Sequence, residues 1–280
     1  MSDPRLTPAN ARVMALELPQ DGSGRRRVTA ERQEIVVPLA DLLRAPDGSR
    51  DRQVLLGDEA DVLETRRGWC FVRMCKDGYV GYLPARALRP VSDPPTHRVG
   101  VPASHVYTAP DLKSPDREAL SFGARLHVLA MQAEFCVTPR GFVPQMHLRP
   151  LTQPFEDPVA IAEMFLGTAY LWGGNSRWGI DCSGLVQIAC LACGQACPAD
   201  SDLQAADLGE RLPPDADLDR GDLIFWRGHV AWVASRTRIV HATAHSMSVI
   251  CEDMDTAVKR IHAKGGGPIT MRKRLPGLRR

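Results

Sequence analysis

The stretch WGIDCSGLVQIAC, residues 178–190, decides how the C-terminal half of the chain is read. A short polar residue followed by an apolar run predicts a helix starting here, with Asp181 or Ser183 able to cap it. Cys182 then falls in the first turn, at the positive end of the helix dipole, where a thiolate is stabilised. The backbone N–H groups of that turn also suit a developing oxyanion. A cysteine so placed is a candidate nucleophile and needs a histidine as its base. His229 opens the apolar run HVAWVAS (229–235), and His241 lies in RIVHAT (238–243). If these runs form one hairpin, a two-residue turn at Arg236 and Thr237 puts the imidazoles on opposite sheet faces. The pair can meet only if the turn is odd in length or the hairpin carries a bulge. His229 would then serve as base, with His241 holding its tautomer.

Upstream, DPVAIAEMFLGT (157–168) has an Asp-Pro helix start and helical apolar spacing. Helices followed by the closely spaced β-rich runs GDLIFW, HVAWVAS and RIVHAT predict an α+β domain at 155–280. The proline-rich RPLTQPFEDP (149–158) reads as a linker into it. Before the linker, short apolar runs broken by Gly and Asp turns predict small all-β barrels. The pattern runs twice. QVLLGDEADVLETRRGWCFVRMCKDGYVGYLPARALRP (53–90) is answered by ALSFGARLHVLAMQAEFCVTPRGFVPQMHLRP (119–150). We assign a first barrel to 34–92, a second to 97–150 and an N-terminal extension to 1–33. The extension is polar and irregular, with a short helix expected in PANARVMALEL (8–18).

A chain with 44% hydrophobic and 24% charged residues can bury an ordinary globular core. Its net charge of +2 gives no basis for a nucleic-acid or anionic-membrane partner. The basic runs GRRR (24–27) and RKRLPGLRR (272–280) read as solvated ends. The first twenty residues show no secretory signal, and no apolar window reaches membrane-spanning length. A cytoplasmic address is therefore expected, where the eight cysteines stay reduced. Cys190, Cys193 and Cys197 raise the question of a metal site. On a continuous helix, however, they share one apolar face, so core packing is the expectation.

GTAYLWGGNSRWGIDCSGLV (167–186), RGDLIFWRGHVAWVAS (220–235) and IVHATA (239–244) together resemble the signature blocks of the NlpC-type papain-like cysteine peptidases. The two β units resemble bacterial SH3-like barrels. The resemblance implies a fold class of a papain-like α+β peptidase domain preceded by two small SH3-like β-barrels. It implies a Cys-His-His triad of Cys182, His229 and His241, with Tyr170 near the cleft and neither metal nor cofactor. Relatives with this barrel arrangement cleave the bond between γ-D-glutamate and a diamino acid in peptidoglycan stem peptides. Diaminopimelate is the expected diamino acid, and a free N-terminal L-alanine is required. The amine pocket would draw on Asp181 and Ser183 beside the nucleophile. From the first barrel it would draw on Tyr79 of DGYVGYLP (77–84) and Asp51 of GSRDRQVLLGDE (48–59). This points to murein recycling on small wall-derived peptides. An amidase or acyltransferase on the same fold, or a non-catalytic binder of cell-wall peptides, remains the alternative.

Overall fold

The computed structural model describes residues 3–277, so the last three residues of the basic C-terminal run lie outside it. The chain separates into two compact units, Met1–Thr152 and Gln153–Arg280. The break falls inside the proline-rich linker. Among the described residues no helix is long and apolar enough to cross a membrane.

In the first unit, seven antiparallel strands follow the spatial order Arg50–Leu55, Leu39–Leu43, Val80–Pro84, Trp69–Met74, Glu59–Arg66, Glu31–Ile35 and Leu88–Pro90. Residues 97–150 repeat this order with one change. The counterpart of the long Glu59–Arg66 strand is broken into Arg125–Leu126 and Ala130–Gln132. One sheet therefore becomes a five-stranded and a three-stranded sheet. The shared Gly-aromatic-apolar-Pro signature has a structural meaning. In both copies the proline precedes a single 3-10 turn, Ala85–Ala87 or Gln145–His147, which leads into a closing Leu-Arg-Pro strand. Proline suits that place because its fixed φ starts a helical turn where its missing N–H is not needed. The two barrels are knit together: the Arg125 N–H donates to the Leu56 carbonyl (2.8 Å), and Leu56 is buried in the second barrel's core.

The helix expected within residues 8–18 is not formed. Val13–Ala15 is a strand paired in parallel with Arg26–Val28. Val13 and Ala15 are buried against Leu63 and Phe71 of the first barrel, so tertiary burial overrides the local pattern. The first barrel's own pairing begins at Glu31, three residues earlier than assigned.

The second unit begins with the helix Pro158–Glu163, capped by Asp157, whose carboxylate accepts from the N–H groups of Val159 and Ala160. Then comes the helix Cys182–Ala192, followed by six strands in the order Glu210–Arg211, Met271–Arg274, Asp222–Trp226, His229–Ser235, Arg238–Thr243 and Ser248–Asp253. Alternating residues Ile224, Trp226, Ala231, Val233 and Ile239 form one buried face, which the helix Met254–Ile261 covers through Ala257. The Cys182–Ala192 helix packs against the two central strands that carry His229 and His241.

Candidate active site

The helix at the centre of the site begins where the sequence places it. Asp181 is its N-cap, and Cys182 is its first residue. The Asp181 carboxylate accepts from the Gly184 N–H (2.6 Å), the Ser183 hydroxyl (3.1 Å) and the Gly173 N–H (2.9 Å). It thus fastens the Trp-Gly-Gly loop to the helix start. Asp181 and Ser183 are both buried here, and capping engages them directly. Gly184 is required by the same approach: a Cβ there would lie 2.5 Å from the Gly174 carbonyl oxygen. Gly→Ala inside a helix ordinarily stabilises by up to about 1 kcal/mol. We expect Gly184→Ala instead to cost about 1–3 kcal/mol through overpacking, read by urea denaturation. An unchanged or higher midpoint would contradict this close approach.

Cys182 is 7% exposed. Tyr170 is half-buried and sits just upstream in a parallel bridge to Ile180, its N–H donating to the Met247 carbonyl (2.8 Å). The helix stops at Ala192, and Gly194 takes a left-handed φ of 76°. Cys197 therefore lies beyond the helix and does not share a helical face with Cys190, contrary to the sequence expectation. All three cysteines of this stretch are buried, and Cys197 contacts the Gln204 side chain.

The hairpin joining the histidine strands has a two-residue turn, with Ser235 opposite Arg238. The register then shifts, so that Val233 faces Ile239 and Trp232 faces Val240. Ala234 is the extra residue of a β-bulge. Continuing that register sets His241 opposite Ala231, on the same face as His229. The rings meet, with His229 Nε2 2.8 Å from His241 Nδ1. His241 is 1% exposed. Burial pushes the His229 pKa well below the ordinary imidazole value; neighbouring His241 and Arg260 add to the push, and Glu252 opposes it.

Two residues of this cluster escaped the sequence reading. Glu252, in the adjacent strand, has Oε1 2.7 Å from His241 Nε2. Arg260, on the following helix, pairs with both Glu252 oxygens. Burial works against the Glu252 carboxylate, but the hydrogen bonds from Arg260 and His241 outweigh it and hold its pKa down to about 2. The available signal was positional: Glu252 stands opposite Ile239, two residues from His241 on the same sheet face.

The residues expected from the first barrel, Asp51 and Tyr79, belong to the unit Met1–Thr152. Asp51 receives Arg44 (2.7 Å), so its charge is matched locally. It lines a cavity of about 620 Å³ with Phe71 and Tyr82. Tyr79 is not among the residues lining that cavity and is 3% exposed.

A thiol at a helix start, packed against an antiparallel sheet that presents two hydrogen-bonded histidines, defines a papain-like domain. Residues 167–264 match the NlpC/P60 family, and residues 42–88 match the bacterial dipeptidyl-peptidase SH3 domain. The chain is homologous to the gamma-D-glutamyl-L-lysine dipeptidyl-peptidase of Bacillus subtilis, with 30% identity over 62% of this chain and 63% of that protein. The alignment thus spans under two thirds of that relative. A second relative of the same description, from Bacillus cereus, is 26% identical over 71% of this chain and 69% of its own length. In fold, the chain is similar to the crystal structure of an NlpC/P60 family protein from Bacillus cereus (TM-score 0.73, 22% identity), with 87% of this chain and 99% of that one covered.

Proposed function

We propose that this protein is a cysteine peptidase that hydrolyses the γ-D-glutamyl–diamino acid bond of peptidoglycan stem peptides. The observation that carries the reading is the paired His229 and His241 on strands packed against the helix that begins at Cys182. His241 occupies Nε2 of His229, which leaves Nδ1 to exchange protons with the thiol. Cys182 attacks the γ-glutamyl carbonyl, and its own backbone N–H stabilises the oxyanion. The His229 imidazolium protonates the leaving amine. The neutral imidazole then activates a water that hydrolyses the thioester. The names of the two Bacillus relatives support the bond, and L-lysine joins diaminopimelate as a candidate diamino acid.

A free N-terminal L-alanine as recognition element, a cytoplasmic address and a role in recycling small wall peptides belong to the same proposal. Digestion of L-alanyl-γ-D-glutamyl-diamino acid tripeptides tests it, using free and N-acetylated forms. We expect release of the diamino acid from the free-amine peptide and at least tenfold slower release from the acetylated one. Equal cleavage would remove the amine requirement. No release from either would remove the assigned bond and favour the amidase, acyltransferase or binding-protein alternatives.

A further inference from the structure

We propose that Glu252 and Arg260 act together as a charge-matched acceptor that fixes the tautomers of both histidines, making Glu252 a positioning residue for the base. This rests on the assignment of His229 as base. An ionised carboxylate only accepts, so the Glu252 Oε1 contact requires the proton of His241 to sit on Nε2. In neutral His241 the other nitrogen, Nδ1, then carries a lone pair and accepts from Nε2–H of His229. His229 is left with an unprotonated Nδ1, the form that can take a proton from a thiol. The chain thus transmits one tautomer choice from Glu252 through two rings.

Arg260 decides whether that transmission holds. An unmatched carboxylate beside His241 would favour its imidazolium, which donates from both nitrogens. His229 Nε2 would then accept, and the His229 proton would move to Nδ1, the wrong position for a base. Arg260 binds both Glu252 oxygens from the covering helix, so the acceptor carries no net charge and its plane is fixed. Oε1 accepts from both His241 and Arg260 Nη2, so an amide oxygen placed there keeps the His241 acceptor, while the amide NH2 takes the place of the oxygen that accepts from Arg260 Nη1.

The test compares Glu252→Ala, Glu252→Gln and Arg260→Met with the unaltered protein. The readouts are kcat, KM, the pH profile of kcat/KM and the melting temperature. His229 faces Glu252, Arg260 and His241, so these groups set the expected profile. Glu252→Ala should lower kcat by about 10- to 100-fold with KM within twofold, part of the roughly 10⁴-fold cost of a wrong base tautomer. Glu252→Gln should recover activity to within a fewfold of the unaltered protein. Arg260→Met should move the acid limb of the profile to higher pH. A kcat within twofold in Glu252→Ala overturns the proposal. So does equal loss in Glu252→Ala and Glu252→Gln in parallel with lowered melting temperature, which marks a structural role alone. His229→Ala, run beside them, separates the two assignments: if it retains turnover, the base assignment itself has failed. If it is inactive while Glu252→Ala is not, only the role of Glu252 has failed.

Discussion

Cys182→Ala is expected to abolish hydrolysis of the free-amine tripeptide, with kcat reduced by at least about 10⁴-fold, while the fold is retained. The magnitude follows from removing a nucleophile that acts as a unit with its base, where single losses reach about 10⁴- to 10⁶-fold. Retention of the fold follows from the geometry. Cys182 is the first helical residue, and the capping contacts come from Asp181, Gly173, Ser183 and Gly184. Alanine is the residue most compatible with a helix interior, and it leaves all these contacts in place. Cys182→Ser should be as inactive, because an alkoxide is far harder to generate than a thiolate. The check is single-turnover release of the diamino acid together with a urea unfolding curve. Turnover within tenfold of the unaltered protein would refute thiol catalysis.

The second large effect is expected at His229. His229→Ala should lower kcat by about 10³- to 10⁴-fold, and alkylation of Cys182 by iodoacetamide at neutral pH should slow in parallel. The unaltered protein also carries a pH signature. Burial lowers the His229 pKa, so the neutral, base form persists to lower pH than in a free imidazole. Activity is lost as pH falls through that lowered value. The acid limb of kcat/KM should therefore lie below about pH 6.5, the ordinary imidazole midpoint. A limb at or above that value would mean that His229 is not the titrating base.

Much of this site was legible because its grammar is local. A capping Asp, a Cys, a Ser and a Gly before an apolar run specify a helix start, and the structure puts the cap at Asp181. The histidine spacing demanded an odd-length turn or a bulge, and the register shift beside Ala234 supplies it. The barrel repeat was legible for the same reason, since the proline before each 3-10 turn recurs in sequence. What was not legible depends on partners distant in the chain. Val13–Ala15 is a strand because Leu63 and Phe71 cover it. Cys197 leaves the helix face because Gly194 turns the chain two residues after the helix ends. Glu252 and Arg260 join the histidines only once the strand register and the covering helix are known.

The Ala234 bulge also carries a rule about chain length. Strand faces alternate with a period of two, so the single extra residue sets the parity of the path from His229 to His241. A lone insertion or deletion within 230–240 would turn one imidazole to the far side of the sheet while leaving both strands paired. Relatives that keep the histidine contact should therefore vary this hairpin by even numbers of residues, or lose and regain a bulge when they vary it by one. Length variation in this short segment can thus be read as a parity check on whether the histidine pair is intact.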